Sequence, residues 1–143
     1  MVAVAPLSFE PPPIVRPAGE ERVRLEGIPW DLYVALSDAV ESPAVRMTYC
    51  EGELEIMTVL PPHEIAKKMI ARLIELYALE ADVPLNGYGN TTFRSQAKAR
   101  GLEPDECYCV GHLLKDVPDF AIEVVITSGG MSKLPVYKGL GVR

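Results

Sequence analysis

Residues 117–130 read VPDFAIEVVITSGG, and the fold turns on how that stretch is placed. Asp119–Ile126 alternates as a strand does: Ile122, Val124 and Ile126 point one way, and Ala121, Glu123 and Val125 point the other. A carboxylate inside so apolar a run is costly to bury unless something pairs with it. Asp119 lies four residues before Glu123, so both side chains are expected on one sheet face. Two carboxylates there repel each other unless a proton or a cation intervenes. Upstream, Glu103-Pro104-Asp105-Glu106 opens a further strand, Pro104–Val110, after an expected turn at Gly101. If the two strands are neighbours, Asp105 joins the cluster. Hard oxygen donors suit magnesium or manganese, which can activate water and stabilise charge on a phosphodiester. A plainer alternative stays open: Asp119 ties off a strand entry after Pro118, and Glu123 pairs with a buried lysine or arginine.

Working outward, Ser132 to Gly141 reads as a last short helix, with Pro135 tolerable in its first turn. On the other side, Asn90–Ala97 alternates weakly as a strand. Before it, Pro61-Pro62 ends one strand and opens the longest helix, about Pro62 to Glu80. Ile65, Met69, Ile70, Leu73, Leu76 and Tyr77 form its apolar stripe, which is expected to be the buried face. Val45–Cys50 and Leu54–Val59 flank Glu51-Gly52-Glu53 as a hairpin. Pro29 opens a helix through about Val40, and Glu21 to Leu25 extends a little. Residues 1–20 carry five of the thirteen prolines and no apolar period, the pattern of a flexible or extended arm. The expected organisation is thus an arm at 1–20 and one α+β domain at 21–143, a small mixed sheet flanked by helices.

Composition bounds the function. The 143 residues suit one domain, and 48% hydrophobic content suffices for a core. No apolar run is long enough to span a membrane, and the first residues lack the pattern of a signal peptide. Three cysteines, Cys50, Cys107 and Cys109, cannot all pair within one chain. They read as reduced thiols of a cytoplasmic protein. A net charge of −6 counts against binding a phosphate backbone, and metal-clustered acids account for only part of it.

Pro104-Asp105 on one strand and Ile122-Glu123-Val124 on the next resemble the core of PD-(D/E)XK nucleases. More closely, MTYCEGELEIM, the Pro-Pro-His helix opening, GLEPDECYCVG, VPDFAIEVVITSGG and KLPVYKGLGV resemble the Uma family of restriction-endonuclease-like proteins, abundant in cyanobacteria. The resemblance implies a restriction-endonuclease-like fold and a metal-dependent endonuclease acting on DNA. It makes Asp105 and Glu123 metal ligands, with Asp119 as a supporting acid, and Mg²⁺ or Mn²⁺ the cofactor. The motif lysine, two residues after the glutamate, is Val125 here. The resemblance supplies a migrated lysine instead, Lys133, reaching back over the turn. The plain reading of Lys133 is a solvated residue at a helix start. The family chain also continues into one more apolar strand. Its lack here implies a C-terminally shortened domain, or a second subunit covering the sheet edge as in a homodimer. A non-catalytic nuclease-fold protein serving as an interaction or metal-binding module is the competing function.

His63, at the first turn of the long helix, either lines the site as a base or orders the helix entry. Glu64 either supplies a helix carboxylate to the site or favours the helix dipole. Cys107, Cys109 and His112 have a spacing that suggests zinc but offers no good fourth ligand, so small apolar filler is the simpler reading. Arg94, Lys98 and Arg100 form a modest basic run, either against phosphates or at a solvated strand end. Trp30 and Tyr33 read as packing groups of the first helix.

Overall fold

The computed structural model describes residues 21–114, 116–126 and 130–142. The expected arm at residues 1–20 and most of the turn at 127–130 lie outside them. Among the described residues, eight strands, three α-helices and one 3-10 turn follow the order β1 Arg22–Leu25, α1 Trp30–Ala39, β2 Val45–Cys50, β3 Glu53–Thr58, α2 Pro61–Glu80, β4 Leu85–Gly87, β5 Phe93–Ser95, the 3-10 turn Gln96–Lys98, β6 Arg100–Leu102, β7 Glu106–Val110, β8 Phe120–Ile122 and α3 Leu134–Leu140. The α+β class holds. The strands are shared between two antiparallel sheets, one of five in the order β1-β3-β2-β6-β5 and one of three in the order β4-β7-β8.

The β2–β3 hairpin pairs Cys50 with Glu53 across Glu51-Gly52. Both turn residues have positive φ, 50° and 96°. That is the left-handed twist a two-residue hairpin turn demands, and glycine meets it without strain. On this sheet lies α1. Tyr33 is fully buried, with its ring stacked on Tyr49 at 4.7 Å and edge-on to Trp30 at 5.4 Å. Met47 and Leu54 complete this core. Gly101 is not a turn. It lies inside β6, where a Cβ would collide with the Tyr33 ring, so the aromatic core needs a bare backbone there. A second core gathers Phe93, Leu102, Cys107, Val136 and Leu140 beneath α3.

The chain crosses from one sheet to the other between β6 and β7, through Glu103-Pro104-Asp105. Proline has no N–H to give a ladder, so pairing stops there, and Asp105 stands at the seam. Register sets Glu106 opposite Ile122, Cys107 opposite Ala121 and Tyr108 opposite Phe120. Strands β7 and β8 are therefore neighbours, the condition on which Asp105 could approach Glu123. The strand expected over Asp119–Ile126 pairs only at Phe120–Ile122. Beyond it Val125 and Ile126 are exposed.

In α2 the apolar stripe faces outward, contrary to expectation. Ile65, Met69, Ile70, Leu73, Leu76 and Tyr77 are 38–72% exposed, whereas the buried positions are His63, Ala71 and Ala78. The small alanines let the helix approach closely, and Tyr108 donates to Glu75 Oε1 at 3.1 Å. Periodicity marks an apolar face but does not say whether this chain covers it. Among the described residues no helix is long and apolar enough to cross a membrane.

Candidate active site

Asp105 is 1% exposed at the seam. Its Oδ2 accepts the Val124 N–H at 2.7 Å and lies 3.1 Å from His63 Nε2. The bond to Val124 fixes Asp105 beside Glu123, since the two residues are consecutive. The Pro61-Pro62 start of α2 delivers His63, also 1% exposed, to this point. Its Nδ1 is buried and finds no hydrogen-bond partner among the described residues.

Glu123 follows the last residue of β8 and receives two side chains from the start of the last helix. Lys133 Nζ lies 2.7 Å from Glu123 Oε2, and the Tyr137 hydroxyl donates a short bond to Oε1. Lys133 and Tyr137 are four residues apart, so one helical face presents both. Burial pushes the Glu123 carboxyl above its usual range. Lys133 and the two hydrogen bonds offset that only in part, and the charge of Asp105 pushes the same way as burial. Tyr137 is raised far above an ordinary phenol, by burial first and by Glu123 next, so it stays a proton donor.

These groups open onto a cavity of about 390 Å³ whose lining includes His63, Glu123, Lys133, Tyr137, Arg22 and Met131. Lys133 is thus no solvated helix-start lysine. Glu55, 2% exposed, braces the far wall by accepting the Met131 N–H at 2.6 Å, with Arg22 at 3.5 Å. Sequence reasoning missed Tyr137 and Glu55. The i,i+4 relation to Lys133 was the signal for Tyr137. For Glu55 it was a carboxylate within an apolar strand, the anomaly that singled out Glu123.

Asp119 stands apart from this group. Its Oδ2 accepts the Val110 N–H at 2.7 Å and faces His112 Nε2 at 3.0 Å. It is Asp105 whose charge bears on Glu123. Two parts of the plainer alternative therefore describe the geometry: Asp119 ties off the β7–β8 end, and Glu123 is paired with a lysine. Glu64 pairs with Lys67 at 2.9 Å, and its other oxygen lies 3.9 Å from His63 Nδ1. The basic run turns inward, with Arg94 on Asp38, Arg100 on Glu51 and Lys98 on the Leu140 carbonyl.

The donor set fits a hard divalent cation. It offers two carboxylates, from Asp105 and Glu123, and the negative charge of one already disfavours ionisation of the other. Neither a curated protein nor a solved structure matches the chain significantly. A family model does: residues 30–143 match the Uma2 model, described as "Putative restriction endonuclease", and on that match the chain belongs to the Uma2 family.

Proposed function

We propose that this chain is a metal-dependent endonuclease that hydrolyses DNA phosphodiester bonds, with Asp105 and Glu123 holding Mg²⁺ or Mn²⁺. The observation carrying the reading is the placement of Lys133. It reaches back over the turn to within 2.7 Å of Glu123, while the Val124 N–H ties Asp105 alongside. A divalent ion supplies Lewis-acid polarisation of the phosphate and a lowered pKa for water. The chain's own groups do the rest. Lys133 presents a fixed ammonium beside the scissile phosphate and stabilises charge that grows in the transition state. Tyr137 holds Glu123 by one oxygen, leaving its orientation set before metal or substrate arrives. His63 steadies Asp105 through Nε2, with Glu64 Oε1 3.9 Å from its other ring nitrogen.

The test is nicking of supercoiled plasmid with magnesium or manganese, beside calorimetric metal titration. The parent nicks only with metal. Glu123→Gln loses metal binding and nicking together. Lys133→Ala lowers nicking about 100-fold while metal affinity changes little, because that lysine acts in the transition state. A metal-saturated Lys133→Ala variant that nicks at the parental rate removes the lysine from the reaction. A parent that binds metal without nicking DNA leaves the metal-binding module as the function.

The reading includes a homodimer. The exposed stripe of α2 is too apolar and too continuous for an isolated surface, and a second copy offers an identical stripe for a two-fold contact.

A further inference from the structure

We propose that Cys109, His112 and Asp119 form a second metal site, separate from the carboxylate site and selective for zinc. One ligand atom from each lies within 4.8 Å of the others. Sulfur, imidazole nitrogen and carboxylate oxygen together are a zinc donor set; a thiolate is a poor ligand for magnesium. The sequence spacing offered Cys107, Cys109 and His112; in the fold the Cys107 thiol donates instead to the Gly89 carbonyl at 3.3 Å, outside the set. Asp119 takes the third place, held at the entry to β8 by its N–H on the carbonyl of Tyr108 in β7.

The histidine is prepared for a ligand. Its Nδ1 lies 2.9 Å from the Leu113 carbonyl, an acceptor only, so Nδ1 is the donor there and the ring's lone pair, where the ring is neutral, is on Nε2. Metal-bound histidines are held this way, by a bond from the other ring nitrogen to a carbonyl or carboxylate. Nε2 then faces Asp119 Oδ2 at 3.0 Å. With a neutral ring, two lone pairs confront each other at that distance, and either a second ring proton or a cation must lie between them. Bonds of about 2.0–2.1 Å from zinc to each atom place the two ligands at nearly this separation.

The surroundings are built as well. The Val110 N–H holds Asp119 Oδ2 at 2.7 Å, and Asn86 Nδ2 donates to the His112 carbonyl at 3.0 Å. Gly111, at φ 75°, makes the turn that returns His112 toward the strand, with its N–H on the Pro84 carbonyl. Cys109 is fully buried, whereas the side chains of His112 and Asp119 are 47% and 40% exposed. Metal therefore enters from solvent, the thiol proton leaves to buffer, and water completes a four-coordinate sphere.

Cobalt(II) titration of the full chain, stripped with chelator and kept reduced, reads the site by the thiolate-to-cobalt charge-transfer absorption. Zinc should bleach that band at one equivalent. His112→Ala, a change at an exposed loop that leaves the core intact, should abolish it or weaken affinity at least 100-fold. Asp119→Asn should weaken affinity at least tenfold, and Glu123→Gln should leave the band unchanged. A band that survives in His112→Ala, or the absence of any charge-transfer band in the parent, overturns the site and leaves His112–Asp119 as an ion pair. The readout does not require DNA cleavage, so it stands or falls independently of the nuclease reading.

Discussion

Burial holds the Glu123 carboxyl above its ordinary pKa of 4.5 despite an ammonium at 2.7 Å. The folded chain therefore binds this proton more tightly than the unfolded one. Stability from that source is full below the ordinary value and is lost as pH rises through the raised one. In metal-free Glu123→Gln that loss is absent. Chemical denaturation between about pH 4 and pH 8 should show the variant declining less than the parent, and parallel curves would contradict the assignment. Tyr137→Phe removes one hydroxyl and keeps the ring. It should cost about 1.5 kcal/mol, the scale of a hydrogen bond to a charged group, measured by thermal or urea denaturation at neutral pH. A loss within error of zero would mean the short bond to Glu123 contributes nothing to the fold. At this scale the sequence was informative where chemistry clashes with context. Glu123 within FAIEVVI announced itself, and Asp105 followed from the strand order. Asp119 misled, because alternation gives the face of a side chain but not its distance along the strand. Tyr137 carried no such clash, since a tyrosine in an apolar helix reads as packing until its hydroxyl is traced.

Elements whose limits are set by local chemistry were legible. Prolines opened α1 and α2, and Glu51-Gly52 closed the hairpin, all within the residues expected. Those set by distant partners were not. The three-residue strands β4 and β6 take their extension from neighbours, Leu85 from Val110 and Gly101 from Tyr49 and Arg94. Gly101 looked like a turn because the ring that excludes a side chain there comes from α1. The outward stripe of α2 belongs to the same class, since periodicity marks an apolar face without saying whether the described chain covers it. Leu73, 65% exposed near the middle of the stripe, tests the homodimer. Analytical ultracentrifugation of the parent should show concentration-dependent association, and Leu73→Glu should weaken it at least tenfold without lowering the monomer's melting temperature. A parent monodisperse as monomer at high concentration would refute the pairing.

Across the whole molecule, the net charge of −6 sits poorly with a DNA substrate, and the ion pairs sharpen the point. Arg22, Arg24, Arg46, Arg94 and Arg100 each stand within 4.0 Å of a carboxylate of this chain. Among the described residues few guanidinium groups stand outside such pairs to neutralise phosphates. DNA affinity should therefore depend weakly on salt, with a log–log slope no steeper than about −3, the signature of roughly three phosphate contacts. Fluorescence anisotropy on a duplex, with calcium in place of magnesium, measures it. A slope of about −6 or steeper would reveal a basic surface that these pairs conceal. Helix α2 ties the scales together. It spans 20 residues, about 30 Å of rigid rod. His63 rests on Asp105 at one end, and the uncovered apolar stripe runs down the shaft. The rod therefore joins the seam where His63 meets Asp105 to an exposed apolar surface, in one stiff piece. A push on one end of so stiff a rod is felt at the other without any path through the core.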